Sequence, residues 1–233
     1  DRSLKRVNYG IKFYHTNLTG QADKLSITLH TGYSTKVDLD YQWPFWGINR
    51  SWRFTSNILF SLNKESYFDT EDNKLVFYKS EGDNNYSLRR FSLTTALQHR
   101  TTLQMFQSIE LKYQNNIISN IISDELNPDF FLGNKNNQNF LTLTYEYIYD
   151  DRDLKYYPTK GRQIEIEFKK EGIGKQNAIN TLSSSISIQQ FFPWNEKHNL
   201  GILAAAKGSI IRNQAPYYNS RALGFAGNYL KGY

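Results

Sequence analysis

Apolar and polar residues alternate one by one along most of this chain, segment after segment, between short clusters of turn-forming residues. In "KLSITLHTGY" Leu25, Ile27, Leu29 and Tyr33 fall on one side, and Ser26, Thr28, His30 and Gly32 on the other. "KVDLDYQW" opposes Val37, Leu39, Tyr41 and Trp43 to Asp38, Asp40 and Gln42. The split returns in "SWRFTSNILFSL", where Trp52, Phe54, Ile58, Phe60 and Leu62 face away from Arg53, Thr55, Asn57 and Ser61. It returns again in "TLQMFQSIELKY", with Leu103, Met105, Ile109, Leu111 and Tyr113 against Gln104, Ser108, Glu110 and Lys112. "LTLTYEYIY" separates Leu141, Leu143, Tyr145, Tyr147 and Tyr149 from Thr142, Thr144 and Glu146, and "RQIEIEF" separates Ile164, Ile166 and Phe168 from Gln163, Glu165 and Glu167. A period of two places successive side chains on opposite sides of an extended backbone, so these are strands with two chemically different faces. Helical periodicity is nearly absent.

Ten strands are predicted, near 7–15, 24–33, 35–43, 51–63, 86–98, 103–116, 139–150, 161–170, 179–191 and 198–212. They are longer than the ~5 to 6 residues usual for a strand. Extra length is what a tilted strand needs to cross a hydrocarbon core. A soluble sandwich or closed barrel would turn the apolar face inward, and strands this long would then bury more surface than the polar face needs to cover. The polar face, however, carries Asp38, Asp40, Arg53, Glu110, Lys112, Glu146, Glu165 and Glu167, which suits a wet lumen. The expected fold is all-β: a transmembrane antiparallel up-and-down β-barrel with apolar residues toward lipid and Tyr, Trp and Phe at strand ends.

Composition fits that inversion. Only 39% of residues are apolar and the mean hydropathy is -0.63, low for a protein with an ordinary core, while 17 Tyr and 15 Phe make it rich in aromatics. The absence of Cys excludes disulfides and thiolate metal sites. The net charge of +6 is spread along the chain, without the clustered basic segment that nucleic-acid binding calls for. No apolar run reaches the ~20 residues of a membrane-spanning helix. Asp1 opens directly on "DRSLKRVNYG", without a secretion signal, and the start is expected to be internal to a longer protein.

The sites of chemistry that a sequence can advertise are weak here. His15, His30, His99 and His198 lie far apart, without metal-ligand spacing. Ser183, Ser185 and Ser187 share one strand face but have no nucleophile elbow, so they are read as lumen lining. Asp38 and Asp40 lie about 7 Å apart by strand rise, a separation open to a cation or a glycosidase pair, among other lumen charges. "EGIGK" has too few glycines, and no following helix, for a phosphate loop. No enzyme activity and no cofactor are expected.

Connections alternate in length. Long ones fall at 64–85, 117–138 and from 213 onward, and short ones at "QHRTT", "FFPWNEKH" and "DDRDLKYYPTKG". In an outer-membrane barrel the short turns face the periplasm, which assigns the last of these to the periplasmic rim. In it Pro158 restricts φ and Gly161 offers a conformation other residues resist, while Asp150, Arg152 and Asp153 can pair with one another and with backbone donors. The same charges could simply solvate a rim.

Asp150, Arg152 and Asp153 followed by Pro158 and Gly161 spell Asp-x-Arg-Asp and Pro-x-x-Gly at a strand hairpin. This resembles a hallmark of the outer-membrane assembly superfamily that includes BamA and TamA. "LGFAGNYLKGY" is similar to that family's segment on the sixth outer loop, which folds back into the barrel. The matching positions are Phe225, Gly227, Leu230, Lys231, Gly232 and Tyr233. "NLTGQADKLSI" and the Trp-Pro corner of "VDLDYQWPFW" resemble a turn and a corner of the same family, in the same order. Lys231 stands where the family has Arg, keeping the charge but losing the planar fork that grips a carboxylate twice. Ala226 or Asn228 stands where the family has another Gly.

The resemblance implies that residues 1–233 form part of a sixteen-stranded barrel, from its second to its eleventh strand, with POTRA domains and C-terminal strands outside this chain. It implies an assembly factor in the outer membrane of a Gram-negative bacterium, which folds and inserts β-barrel proteins without cofactor or nucleotide. Its partners would be unfolded outer-membrane proteins, the lipid bilayer with lipopolysaccharide, and accessory lipoproteins, with no nucleic acid. A TamA-like translocation factor, a two-partner secretion exporter and a passive porin are the alternatives. Asp150, Arg152 and Asp153 are expected to brace the rim, and Lys231 with Tyr233 to anchor the loop in the lumen.

Overall fold

The computed structural model describes residues 6–80, 86–174, 179–195 and 198–220. All ten predicted strands are present, as β1 (Asn8–Thr16), β2 (Lys24–Gly32), β3 (Ser34–Gln42), β4 (Trp52–Asn63), β7 (Leu88–Arg100), β8 (Met105–Ile118), β9 (Asn137–Asp150), β10 (Gly161–Ile173), β11 (Thr181–Pro193) and β12 (Asn199–Ile211). They form one antiparallel sheet in strict chain order, β1-β2-β3-β4-β7-β8-β9-β10-β11-β12. A separate hairpin, β5 (Glu65–Glu71) with β6 (Lys74–Lys79), lies between β4 and β7. It was expected as a loop.

Register carries the two faces across the sheet. Phe13, Ile27, Leu39, Ile58, Leu93, Tyr113 and Leu141 stand opposite one another in a single apolar row over seven strands. On the reverse face Tyr14, Ser26, Asp40, Asn57, Thr94, Lys112, Thr142 and Glu171 make a polar row. A slip of one residue in any pair would swap the faces, so the alternation also pins the register.

Burial is inverted relative to a soluble domain. Asn116 (0% exposed), Ser92 (2%) and Thr142 (5%) are buried on the polar face, whereas Ile109 (52%) and Leu111 (44%) on the apolar face are open. Water-exposed aliphatic surface on this scale costs free energy in proportion to its area, and hydrocarbon removes the cost. The sheet is a lipid-facing wall with a polar interior.

The buried apolar cluster of the described residues sits elsewhere, at the long-connection end. Leu88 and Ile118, at the ends of β7 and β8, pack with Ile122, Phe130, Phe131 and Tyr218, and Tyr67, Phe68, Tyr78 and Tyr217 lean on them. A π-helical turn, Ile122–Leu126, supplies Ile122. Three connections are thereby tied together: Asn127 donates to the Phe68 carbonyl at 2.6 Å, the Tyr218 N–H to the Phe130 carbonyl at 3.2 Å, and Gln138 to Asn219 at 2.9 Å. Each fully buried ring or branched side chain contributes about 1.5–3 kcal/mol, enough to hold these connections together at that end of the wall.

Candidate functional site

At the opposite end, the chain between β9 and β10 is closed by backbone pairs. The Asp151 N–H donates to the Arg162 carbonyl at 3.0 Å, and the Asp153 N–H to the Lys160 carbonyl at 3.3 Å. Residues 154–159 then hang outside as a small lobe. Strand parity puts Asp150 on the lumen face. There it accepts both Arg152 Nε (2.8 Å) and Nη2 (2.9 Å), a bidentate fork between side chains only 11% and 17% exposed. That geometry fixes the planes of both groups, as a flexible Lys could not. The bonds to Asp150 hold the Arg152 guanidinium above its ordinary value, against the opposing effect of burial.

Asp153 does not pair with Arg152; of the two kinds of partner the sequence offered it, it takes the backbone donors. Its Oδ1 accepts the N–H groups of Leu154 (2.9 Å), Thr159 (2.9 Å) and Lys160 (3.3 Å), and its Oδ2 accepts the Thr159 hydroxyl. One carboxylate therefore closes the lobe by its two ends. Pro158, with φ fixed by its ring, immediately precedes the Thr159 N–H that Asp153 binds. The Thr159 bonds, outweighing a weak burial effect, hold the Asp153 carboxyl well below the usual carboxylate range. A carboxylate whose folded value is depressed stabilises the fold above its unfolded value, about 4, and loses that contribution as pH falls through the folded value. The lobe is therefore expected to stay closed through pH 4 and open only in stronger acid. The carboxyl carbon shift of Asp153, titrated by NMR in micelles, measures this; a midpoint at or above 4 contradicts it.

Gly161 has φ +97°, and a Cβ there would meet the Asp151 carbonyl oxygen at 2.5 Å and the Arg152 Cα at 2.8 Å. Asp151 was not singled out in the sequence because it occupies the variable position of the motif. It braces the outer face: its Oδ1 accepts the Arg162 N–H at 2.6 Å, its Oδ2 the Tyr149 hydroxyl at 2.9 Å, and the Arg162 guanidinium lies 5.3 Å from the centre of the Tyr149 ring. Adjacent aspartates at the end of a strand point to opposite faces, and that adjacency was the available signal.

Two further turns share this end. Asp23, fully buried, accepts the Thr19 N–H at 3.0 Å and the Tyr41 hydroxyl at 2.7 Å, while Asn17 accepts the Ala22 N–H at 2.7 Å. Burial pushes the Asp23 carboxyl up, but the Thr19 and Tyr41 bonds together hold it below its ordinary value. Removing Asp23 orphans both donors and removing the Tyr41 hydroxyl only one acceptor site, so Asp23→Ala should lower the urea midpoint of the folded barrel clearly more than Tyr41→Phe. Equal effects would show that the turn is not organised around Asp23. The Trp-Pro corner supplies aromatics: Trp43 meets Tyr41 (4.4 Å) and Phe54 (5.0 Å) edge-on, Trp52 stacks on His99 (4.2 Å), and Arg53 lies 4.0 Å from the Phe45 ring centre. Rings clustered at strand ends suit the water–lipid boundary. Phe225, Gly227, Leu230, Lys231, Gly232 and Tyr233 lie outside the described residues.

A long-stranded antiparallel wall, apolar on the outside, polar within and strictly up-and-down in order, defines a transmembrane β-barrel protein. The model of the Omp85 superfamily domain matches residues 17–232, and the chain belongs to that superfamily of outer-membrane β-barrel proteins. Among solved structures it is similar to the crystal structure of BamA from Haemophilus ducreyi lacking POTRA domains 1-3, with a TM-score of 0.66 and 15% identity over 95% of this chain. The chain spans 43% of the length of that protein. At this identity the likeness speaks for the fold.

Proposed function

We propose that this chain is the wall of an assembly factor that folds and inserts β-barrel proteins into the outer membrane of a Gram-negative bacterium, a BamA-like role. The observation that carries it is the superfamily match over 17–232, together with a corner locked on both faces by Asp150–Arg152 and Asp151–Arg162. The chemistry required is modest: an unfolded client strand pairs with an exposed strand edge, and backbone hydrogen bonds supply recognition without regard to client sequence. No nucleotide, cofactor or covalent step enters. The braced corner keeps the short-turn rim rigid while the edge exchanges partners, and the aromatic corner anchors that rim at the periplasmic surface. Clients are unfolded outer-membrane proteins, and accessory lipoproteins would meet the same rim.

The test is reconstitution of the intact protein in lipid vesicles. An assembly factor accelerates the acquisition of protease resistance by an unfolded outer-membrane protein; an exporter carries a polypeptide into the vesicle interior instead, and a porin conducts ions without doing either. Insertion at the rate of protein-free vesicles would end the proposal. In the positive case, Arg152→Ala should slow insertion, whereas Lys74→Ala at the distant hairpin tip should not.

A further inference from the structure

On the apolar face, Leu62, Arg89 and Ile117 stand opposite one another at the long-connection end of β4, β7 and β8. Arg89 is exposed and has the parity of Phe91 and Leu93, so it points out of the wall just beyond the apolar band. Above it opens a cavity of about 770 Å³, lined by Tyr78, Lys79, Tyr86, Arg89, Ile117 and Asn120 among others. Below it a second hollow of about 440 Å³, which shares Arg89 and Ile117, runs over Phe60, Phe91 and Tyr113. Together they form one notch that is cationic and hydroxyl- or amide-lined at the top and aromatic at the bottom. Among the described residues neither Lys79 nor Arg89 pairs with a carboxylate. The acids Glu81 and Asp83 lie outside those residues.

A cation on the lipid-facing side of a wall is costly unless it reaches water or an anionic headgroup, and it lies within reach of one only at the membrane boundary. The rest of the notch narrows the headgroup. Two tyrosines offer flat faces and hydroxyls, Ser80, Ser119 and Asn120 offer small polar groups, and the aromatic stripe below can only be wetted by acyl chains. We propose that the notch binds a phosphorylated glycolipid of the outer leaflet, with Arg89 and Lys79 on a phosphate, the tyrosines against the sugar and the acyl chains along Phe60, Phe91 and Tyr113. The inference rests on the long connections facing the cell exterior and is independent of the assembly role: a protein that binds the lipid but inserts nothing would refute only the latter.

The experiment is native mass spectrometry of the intact protein in detergent, titrated with bisphosphorylated lipid A, with lipid A stripped of both phosphates, and with phosphatidylglycerol. The first should bind best, and losing either the phosphates or both cations (Lys79→Ala with Arg89→Ala) should weaken binding about tenfold or more, since charge-assisted bonds to phosphate are being removed. Lys74→Ala, on the same hairpin, should bind as the parent does. The stripped-lipid comparison uses the unaltered protein, so it decides the matter even if the double variant misfolds. Equal binding of stripped and phosphorylated lipid A overturns the phosphate site, and phosphatidylglycerol binding as tightly as lipid A overturns the saccharide one.

Discussion

Leu93→Arg should cost the folded barrel about 2–4 kcal/mol in a bilayer, whereas Thr144→Arg should cost no more than about 1 kcal/mol. Leu93 is central in β7, open on the apolar face (38% exposed) and flanked by Ile58 and Tyr113. A guanidinium there must be carried into hydrocarbon. Thr144 is on the other face, directly opposite Glu110 on one side and Lys169 on the other, and Lys169 is already paired with Glu171 at 2.9 Å. An arginine at 144 therefore meets water and an unlike charge. The folded fraction of each variant in vesicles, followed through a urea series, gives both values. A soluble fold would reverse the order, with the charge tolerated at 93 and damaging at 144.

The corner offers the second large effect. Gly161→Ala should cost about 2–4 kcal/mol, because a left-handed conformation is forced on a residue with a side chain and the new methyl collides with backbone. Gly20 is the matched comparison. It also has positive φ (+82°), but nothing lies within 4 Å of its missing Cβ, so Gly20→Ala should cost only the conformational part, about 1 kcal/mol. The same urea series resolves the two. If they prove equal, the backbone of Asp151 and Arg152 can move aside and the corner is not the rigid brace described above.

The hairpin β5–β6 was hidden because its turn is Asp72–Asn73, both at positive φ, without the glycine that usually marks such a turn, and because a bulge between Tyr67 and Asp69 breaks the alternation at Phe68. The buried cluster was invisible for a different reason: Ile122, Phe130 and Phe131 of one connection meet Tyr218 of another and Tyr67, Phe68 and Tyr78 of the β5–β6 hairpin, and that pairing is decided only when the strands set their ends side by side. At the corner, Asp150, Arg152, Asp153, Pro158 and Gly161 could be picked out by type and spacing. Which carboxylate took the guanidinium and which took the backbone could not, since several partners lie within reach of each and only the path of the lobe chooses among them.

Taken alone, the order of residues determined the ten strands of the wall, their approximate lengths and their two faces, because a period of two is a local property; it excluded any register slipped by one residue and left the choice among the others to the turns. It also determined which face meets lipid, since charges on one side leave the other as the hydrocarbon surface. Tertiary structure decided how the long connections pack together at one end of the wall, how Asp151 and Asp153 divide their work, and how Lys79 and Arg89 come to line one cavity. The long connections meet through groups far apart in the chain; the other partners lie near one another in sequence, but only the path of the folded chain between them chooses which atoms meet.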